Sequence, residues 1–313
     1  MQNTLRTDRR PERRAVDGML LLDKPAGMTS NRALQRVRGC FRARKAGHTG
    51  SLDPLATGLL PICLGEATKL SGYLLDGDKV YRTRAQLGSV TDSGDADGAV
   101  IATAPVPESL TAADVEAVLA GFRGEIEQVP PMVSALKHQG QRLYALARRG
   151  ETVERPPRAV RIHRLDLIGI DAGVLELEVA CSKGTYIRTL VADIGEALGC
   201  GAHVQTLRRT GIGPFHIEQA VPLARIEALA DDVGLAALDA LLLPIDAAID
   251  NWPAVKLAAD AGRFFLSGQP VWQPGLPAGG LTRVYHAGRF IGIGVLLDDG
   301  RLAPRRLLAV DRV

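Results

Sequence analysis

The sequence predicts an α+β fold: a mixed, mostly antiparallel sheet flanked by helices, followed by a small β-rich module. Three observations carry this. Residues 80–87 and 175–179 alternate polar and apolar side chains, the period of strands with one covered face. Ile187, Leu190, Val191, Ile194 and Leu198 recur at helical spacing and form one apolar stripe. Residues 281–308 hold two tight-turn pairs, Ala287-Gly288 and Asp299-Gly300, between alternating stretches, which reads as consecutive hairpins.

The elements follow in order. Residues 18–23 are a short apolar strand, and Lys24-Pro25-Ala26-Gly27 turns out of it. Thr29 or Ser30 then caps a helix whose apolar side is Leu34, Val37 and Phe41. Its other faces are rich in arginine and read either as a solvated basic face or as an RNA contact. The 80–87 strand presents Tyr81, Thr83, Ala85 and Leu87 on one side, and a polar loop follows at 92–98. Thr111 with Asp114 forms a capping box, and a Leu110–Val115 staple starts a helix there. Residues 128–158, rich in Pro, Arg and polar types, read as a partly helical surface insertion. The 175–179 strand has Glu176 and Glu178 on an open face, and Ser182-Lys183-Gly184 turns into the helix that ends at Gly199. After Trp252-Pro253 the β-rich module begins. The expected organisation is a basic disordered tail over 1–16, one large domain over 17–250 and a small one over 251–313.

Composition bounds the function classes. The chain has 313 residues, 46% hydrophobic and 23% charged, in the range of a globular protein with ample core. The net charge of +3 is too small to prove a polyanionic partner. Its distribution is more telling: between Asp23 and Asp53 there are seven basic residues and no acid, and the first 14 residues add Arg6, Arg9, Arg10, Arg13 and Arg14. Cys40, Cys63, Cys181 and Cys200 form no C-x-x-C pair and no metal spacing, so buried free thiols in a reducing cytoplasm are expected, with no metal. No apolar run reaches the ~18 residues of a membrane span.

The chemistry concentrates in Gly47-His48-Thr49-Gly50-Ser51-Leu52-Asp53-Pro54-Leu55-Ala56-Thr57-Gly58. One carboxylate stands there on a turn-rich segment behind a basic field that attracts phosphates. Asp-Pro near glycine is also an ordinary turn former. The order of residues decides between the two readings. It resembles the G-H-x-G-x-L-D-P-x-A-x-G motif of the TruB family, the tRNA pseudouridine-55 synthases. Lys79-Val80-Tyr81 is similar to the family's K-x-Y, Ser182 to Arg188 to its S-x-G-T-Y-I-R, and Gly201 to Arg209 to its G-A-x-V-x-x-L-R-R. Pro130 to Lys137 resembles its P-P-x-x-S-A-x-K insertion, with Val133 where an aromatic residue is frequent.

The resemblance implies a pseudouridine synthase fold with a PUA-like RNA-binding domain at the C-terminal end. It implies isomerisation of the T-loop uridine at tRNA position 55, on a base flipped out of its stack. Asp53 is then the nucleophile, at C1′ or C6 or through a glycal-type intermediate. Tyr81 is the stacking platform, Tyr186 the residue near the sugar or C5, and Arg188 the partner that keeps Asp53 ionised. His48 would fill the space the base vacates. Lys24 supports the site or a phosphate, and Leu207, Arg36, Arg42, Arg44 and Lys137 complete the expected RNA contacts. The isomerisation involves no net redox change, so no cofactor is expected. The expected partner is the tRNA T-arm, with no membrane and no obligate protein partner. Two rivals stand beside this reading: an RNA chaperone that refolds tRNA without chemistry, and a related enzyme that modifies ribosomal RNA within a guide-RNA complex.

Overall fold

The computed structural model describes residues 12–134, 136–143, 146, 149–273 and 280–309. Its centre is a ten-stranded sheet. The main path runs β14 (Val221–Pro222), β1 (Gly18–Lys24), β3 (Thr57–Leu64), β12 (Ala202–Ile212), β4 (Lys79–Leu87), β11 (Val174–Cys181), β10 (Arg158–Asp171) and β7 (Gly124–Gln128). β2 (Ala46–His48) pairs with β3, and β13 (Phe215–His216) with β12. Only β1/β14 and β3/β12 are parallel, so the sheet is mixed and mostly antiparallel.

β1 and β3 are apolar almost throughout because both of their faces are covered. Leu20, Leu22, Leu60, Ile62 and Leu64 face one core, with Leu34 and Val37 of α1 (Ser30–Cys40), Leu190 and Val191 of α4 (Ile187–Ala197) and Ile226 of α5 (Leu223–Asp232). Met19, Leu21, Leu59 and Cys63 face a second core with Leu70, Leu74 and Ile249. α1 starts at the Thr29 cap, whose hydroxyl accepts from Arg32 N. α3 (Ala112–Ala120) carries the capping box of Thr111 and Asp114.

A second sheet of five strands holds β15 (Ala254–Leu257), β16 (Val271–Trp272), β17 (Leu281–His286), β18 (Arg289–Leu296) and β19 (Arg301–Leu307), in the order β15-β17-β18-β19-β16. The hairpin turns fall where the sequence puts them. Ala287 and Gly288 both take positive φ, 49° and 75°, as a two-residue hairpin of this kind demands.

Three expectations need correction. The tail is not disordered up to residue 16. Arg14 bridges Ala43, and its guanidinium grips Asp239 in a bidentate ion pair. Arg13 donates to the Ala43 carbonyl at 3.0 Å. Residues 1–11 lie outside the described residues. The 128–158 insertion carries a two-stranded hairpin, Lys137–His138 with Gln141–Arg142, which short alternation could not announce. Cys40 is only half-buried; the other three thiols are buried, and all four are free.

Candidate active site

Asp53 sits on the loop between β2 and β3, and that loop is pinned from several sides. Ser30 Oγ donates to Leu52 O at 3.0 Å and accepts from Leu52 N at 2.7 Å. Gly27 N donates to Pro54 O at 2.9 Å. Arg209 of β12 donates from Nη2 to Gly50 O at 3.0 Å and from Nε to Leu59 O at 2.7 Å. Gly58 is where β3 leaves this loop and crosses β12 most closely. It takes φ +102°, and a Cβ there would stand 2.3 Å from Arg209 O. Only glycine fits that crossing.

A cleft of about 290 Å3 opens over this loop, lined by Asp53, Lys79, Tyr81, Tyr186, Arg188, Leu207 and Arg209, among others. That is the lower end of small-ligand sites, about 300–1,000 Å3, so it admits a nucleoside-sized group and not a duplex. Tyr81 comes from β4, Leu207 and Arg209 from β12, and Tyr186 and Arg188 from the start of α4. Gln128 brackets the Tyr186 backbone, accepting from its N–H at 3.0 Å and donating to its carbonyl at 3.3 Å. Burial raises the pKa of both tyrosine hydroxyls, which keeps them protonated at neutral pH.

Arg188 is the electrostatic centre. Its side chain is 4% exposed, and Nε lies 3.1 Å from Asp53 Oδ2. Nη1 lies 3.6 Å from Asp95 Oδ2 and donates to Ser93 O at 2.8 Å, while Nη2 donates to Val133 O at 2.7 Å. The guanidinium therefore joins four segments: the Asp53 loop, the 92–98 loop, the insertion and α4. The expected Arg188–Asp53 pair is present, but it is not the only influence on that carboxyl. Burial raises its pKa, Arg188 opposes this, and the Asp95 charge adds to the rise. The Asp53 side chain remains 42% exposed to the open cleft, so water screens part of that rise.

Other expected site residues lie elsewhere. Lys24 is fully buried, and its Nζ donates to Pro25 O at 2.9 Å and Met28 O at 2.8 Å, with Pro54 O at 3.5 Å. It ties the 24–28 turn to the Asp53 loop and is not available to a phosphate. Its desolvated amine is pushed down to about 8. His48 sits on β2, half-buried, outside the cleft lining, and its Nδ1 is buried with no hydrogen-bond partner among the described residues. Burial, then the Arg209 charge, favours its neutral form. Arg36 is held by Glu227 of α5 at 2.5 Å. Arg42 and Arg44 are exposed at the end of α1. The Lys137 side chain lies outside the described residues. Among the described residues no cluster of three His, Cys, Asp or Glu could hold a metal.

Sequence reasoning missed Asp95, Ser30, Gln128 and Arg209 as site builders. Asp95 shares its loop with Asp92 and Asp97, and nothing in the pattern singles out one of the three. Arg209 stood inside a quoted motif, but its complete burial has no signal in an Arg-Arg pair.

The fold agrees with known proteins. The chain superposes on a chain of the Cbf5–Nop10–Gar1 complex with a TM-score of 0.70 at 25% identity, covering 93% of this chain and 84% of that one. It has the same fold as a chain of an H/ACA RNP bound to a substrate RNA containing 2′-deoxyuridine, with a TM-score of 0.70 at 24% identity, covering 94% and 86%. Three family models match end to end: the TruB family pseudouridylate synthase N-terminal domain over 38–187, the tRNA pseudouridylate synthase B C-terminal domain over 188–250, and the pseudouridine synthase II TruB C-terminal model over 253–308. The molecule is a pseudouridine synthase, an isomerase. Relatives called tRNA pseudouridine synthase B from Stutzerimonas stutzeri and Pseudomonas fluorescens are 57% and 56% identical, each over 95% of this chain and 97% of theirs. The chain belongs to the TruB family.

Proposed function

We propose that this protein converts the T-loop uridine at tRNA position 55 to pseudouridine, with Asp53 as the nucleophile on a flipped-out base. The observation that carries this is the buried Arg188 paired to Asp53 on the floor of a cleft sized for one nucleoside. A base inside a stem cannot reach that floor, so it must leave its stack at a cost of a few kcal/mol. Stacking on Tyr81 offsets part of this, at about 1–3 kcal/mol per base. Tyr186 stands near the sugar or C5, and Leu207 closes the apolar wall. Arg188 aims the Asp53 carboxylate and holds it at one edge. Attack at C1′, attack at C6 and a glycal-type intermediate are all compatible with this geometry.

The partner in this reading is the tRNA T-arm. Arg42, Arg44 and the exposed arginines of the second sheet supply phosphate contacts, which position RNA without breaking bonds. Residues 17–250 act as the catalytic part and 251–313 as a PUA-like RNA-binding part. The enzyme works where tRNA matures, in the cytoplasm; no described helix is long and apolar enough to cross a membrane. The identity to tRNA pseudouridine synthase B exceeds that to the chain of the Cbf5–Nop10–Gar1 complex about twofold, 57% against 25%, and favours tRNA as the substrate. The test is tritium release from tRNA labelled at uridine C5, with the modified position mapped. Release absent, or mapped outside the T-loop, overturns the proposal.

A further inference from the structure

Two buried cations line the same cleft, and neither has a carboxylate partner among the described residues. Arg209 is 1% exposed and Lys79 is 7% exposed. The Lys79 amine is tied to the carbonyls of Leu75, at 2.7 Å, and Gly77. An ammonium has three N–H donors, so one is left over. Arg209 spends Nε on Leu59 O and Nη2 on Gly50 O, and its guanidinium lies beside the Tyr81 hydroxyl. It keeps further donors, because a guanidinium has five. The two cations also repel each other. Burial first, and Arg209 second, push the Lys79 amine down to about 8, against weaker opposition from Cys181, Asp78 and Asp76.

Uncompensated charge in a protein interior is unfavourable unless something neutralises it. Elsewhere in the cleft lining the buried cation is neutralised: Arg188 has Asp53 and Asp95. The Lys79–Arg209 side is not. A counter-charge is therefore missing on one side only, next to the tyrosine on which the base stacks.

We propose that Lys79 and Arg209 form a cationic wall that stabilises the negative charge the uracil ring acquires during the reaction. The inference rests on the function proposed above. In the C1′ route an Asp53 oxygen bonds C1′, and the N1–C1′ electron pair leaves with the ring, giving a uracil anion whose charge spreads from N1 to its carbonyl oxygens. The ring then bonds C1′ through C5, the carboxylate recovers its pair, C5 loses its proton, and N1 gains one. A glycal route releases the same anion. Attack at C6 pushes the C5–C6 pair into an enolate on O4. Every route puts charge on a uracil carbonyl oxygen, so the wall serves whichever is followed. Preorganised donors aimed at developing charge are a large source of catalysis in sites that exclude water.

The experiment uses the full chain and single turnovers at saturating tRNA, with uridine or 5-fluorouridine at the target position. Loss of the original nucleoside is followed. Fluorine withdraws electron density and stabilises the ring anion by itself, so it lessens the need for the wall. Lys79→Gln and Arg209→Gln are expected to slow uridine turnover about a hundredfold or more. Their loss on 5-fluorouridine should be at least about tenfold smaller. Their tRNA Kd should stay within about threefold of wild type. Arg209→Gln removes bonds to Leu59 and Gly50, so if its melting curve shows misfolding, Lys79→Gln decides alone. Equal losses on both substrates mean a distorted site and overturn the proposal, as does an unchanged rate or an effect confined to Kd. Wild-type protein that forms no pseudouridine from the uridine substrate defeats the functional reading instead, and that outcome is seen before any variant is made.

Discussion

At the scale of single residues, the Arg188 fork makes the clearest predictions. Asp53→Asn keeps the shape of the loop and removes the charge and the nucleophile, so tritium release should fall to background while tRNA binding survives. Normal release by this variant would end the assignment of Asp53. Asp95→Asn acts one step away. The Asp95 charge pushes the Asp53 carboxyl up, so its removal lets that pKa fall. Turnover needs Asp53 ionised and is lost as pH falls through its pKa. The acid limb of the pH–rate profile should therefore lie above the ordinary carboxylate range in the wild type and move to lower pH in Asp95→Asn. The plateau rate should drop at least about tenfold, ~1.4 kcal/mol, because Arg188 loses one of the anchors that aim it. An acid limb that stays in place would show that Asp95 does not reach Asp53.

At the scale of elements, α1 and α4 separate what the sequence made legible from what it did not. The spacing in α4 gave its apolar face, the Thr111–Asp114 box gave the start of α3, and the turn pairs gave the β17–β18 and β18–β19 hairpins. These are local signals, set by backbone period and capping. The residues sharing the cleft, Asp53, Tyr81, Tyr186, Arg188 and Leu207, were legible only through ordered motifs. Long-range pairing was not legible. Nothing in α1 says that exposed Arg36 pairs with Glu227 of α5 while exposed Arg42 and Arg44 have no carboxylate partner among the described residues. That difference sharpens a salt experiment. Arg42→Ala and Arg44→Ala should each lower the log–log salt slope of tRNA binding by about 0.7–0.9, and Arg36→Ala by much less. Equal slopes for all three would mean that the Glu227 pair opens on binding. A packing prediction belongs to α4. A Cβ at Gly195 would stand 2.2 Å from Ala202 N, so Gly195→Ala must push α4 off β12. It should cost about 1–3 kcal/mol, read as a lowered Tm. Gly39→Ala in α1 meets nothing within 4 Å and should be neutral or slightly stabilising, as helix propensity dictates.

At the scale of the whole molecule, the question is whether the second sheet can be removed. All cleft residues lie before residue 210, which suggests a dispensable module. The packing argues otherwise. Ile293 is fully buried in the core that holds Met19, Leu21, Leu59 and Cys63 of the central sheet, and Leu281, Phe290 and Trp252 pack on its edge. Trp252 also meets Tyr73 edge-on, with ring centroids 5.0 Å apart, and Lys69 donates to Leu307 O at 3.0 Å. Burying one large apolar side chain contributes about 1.5–3 kcal/mol, and a domain's net stability is about 5–15 kcal/mol. Losing fully buried Ile293 together with the partly buried Leu281, Phe290 and Trp252 therefore removes a large share of that margin. A chain cut at 250 should lose its cooperative melt, so truncation cannot test the RNA-binding role. Charge removal at packing-neutral positions can. Arg289, Arg305 and Arg306 are exposed on β18 and β19 and enter no ion pair among the described residues. Replacing all three by Gln should leave Tm unchanged and raise the half-saturating tRNA concentration. The salt slope should fall by about 2–3 if all three touch phosphates. The rate at saturating tRNA should stay within about tenfold, because such contacts position RNA without joining the bond changes. Unchanged affinity and slope would remove the RNA-binding role from this face. Normal affinity with a collapsed rate would mean that the second sheet acts on the cleft through the shared core, and the division of labour between the two sheets would then be wrong.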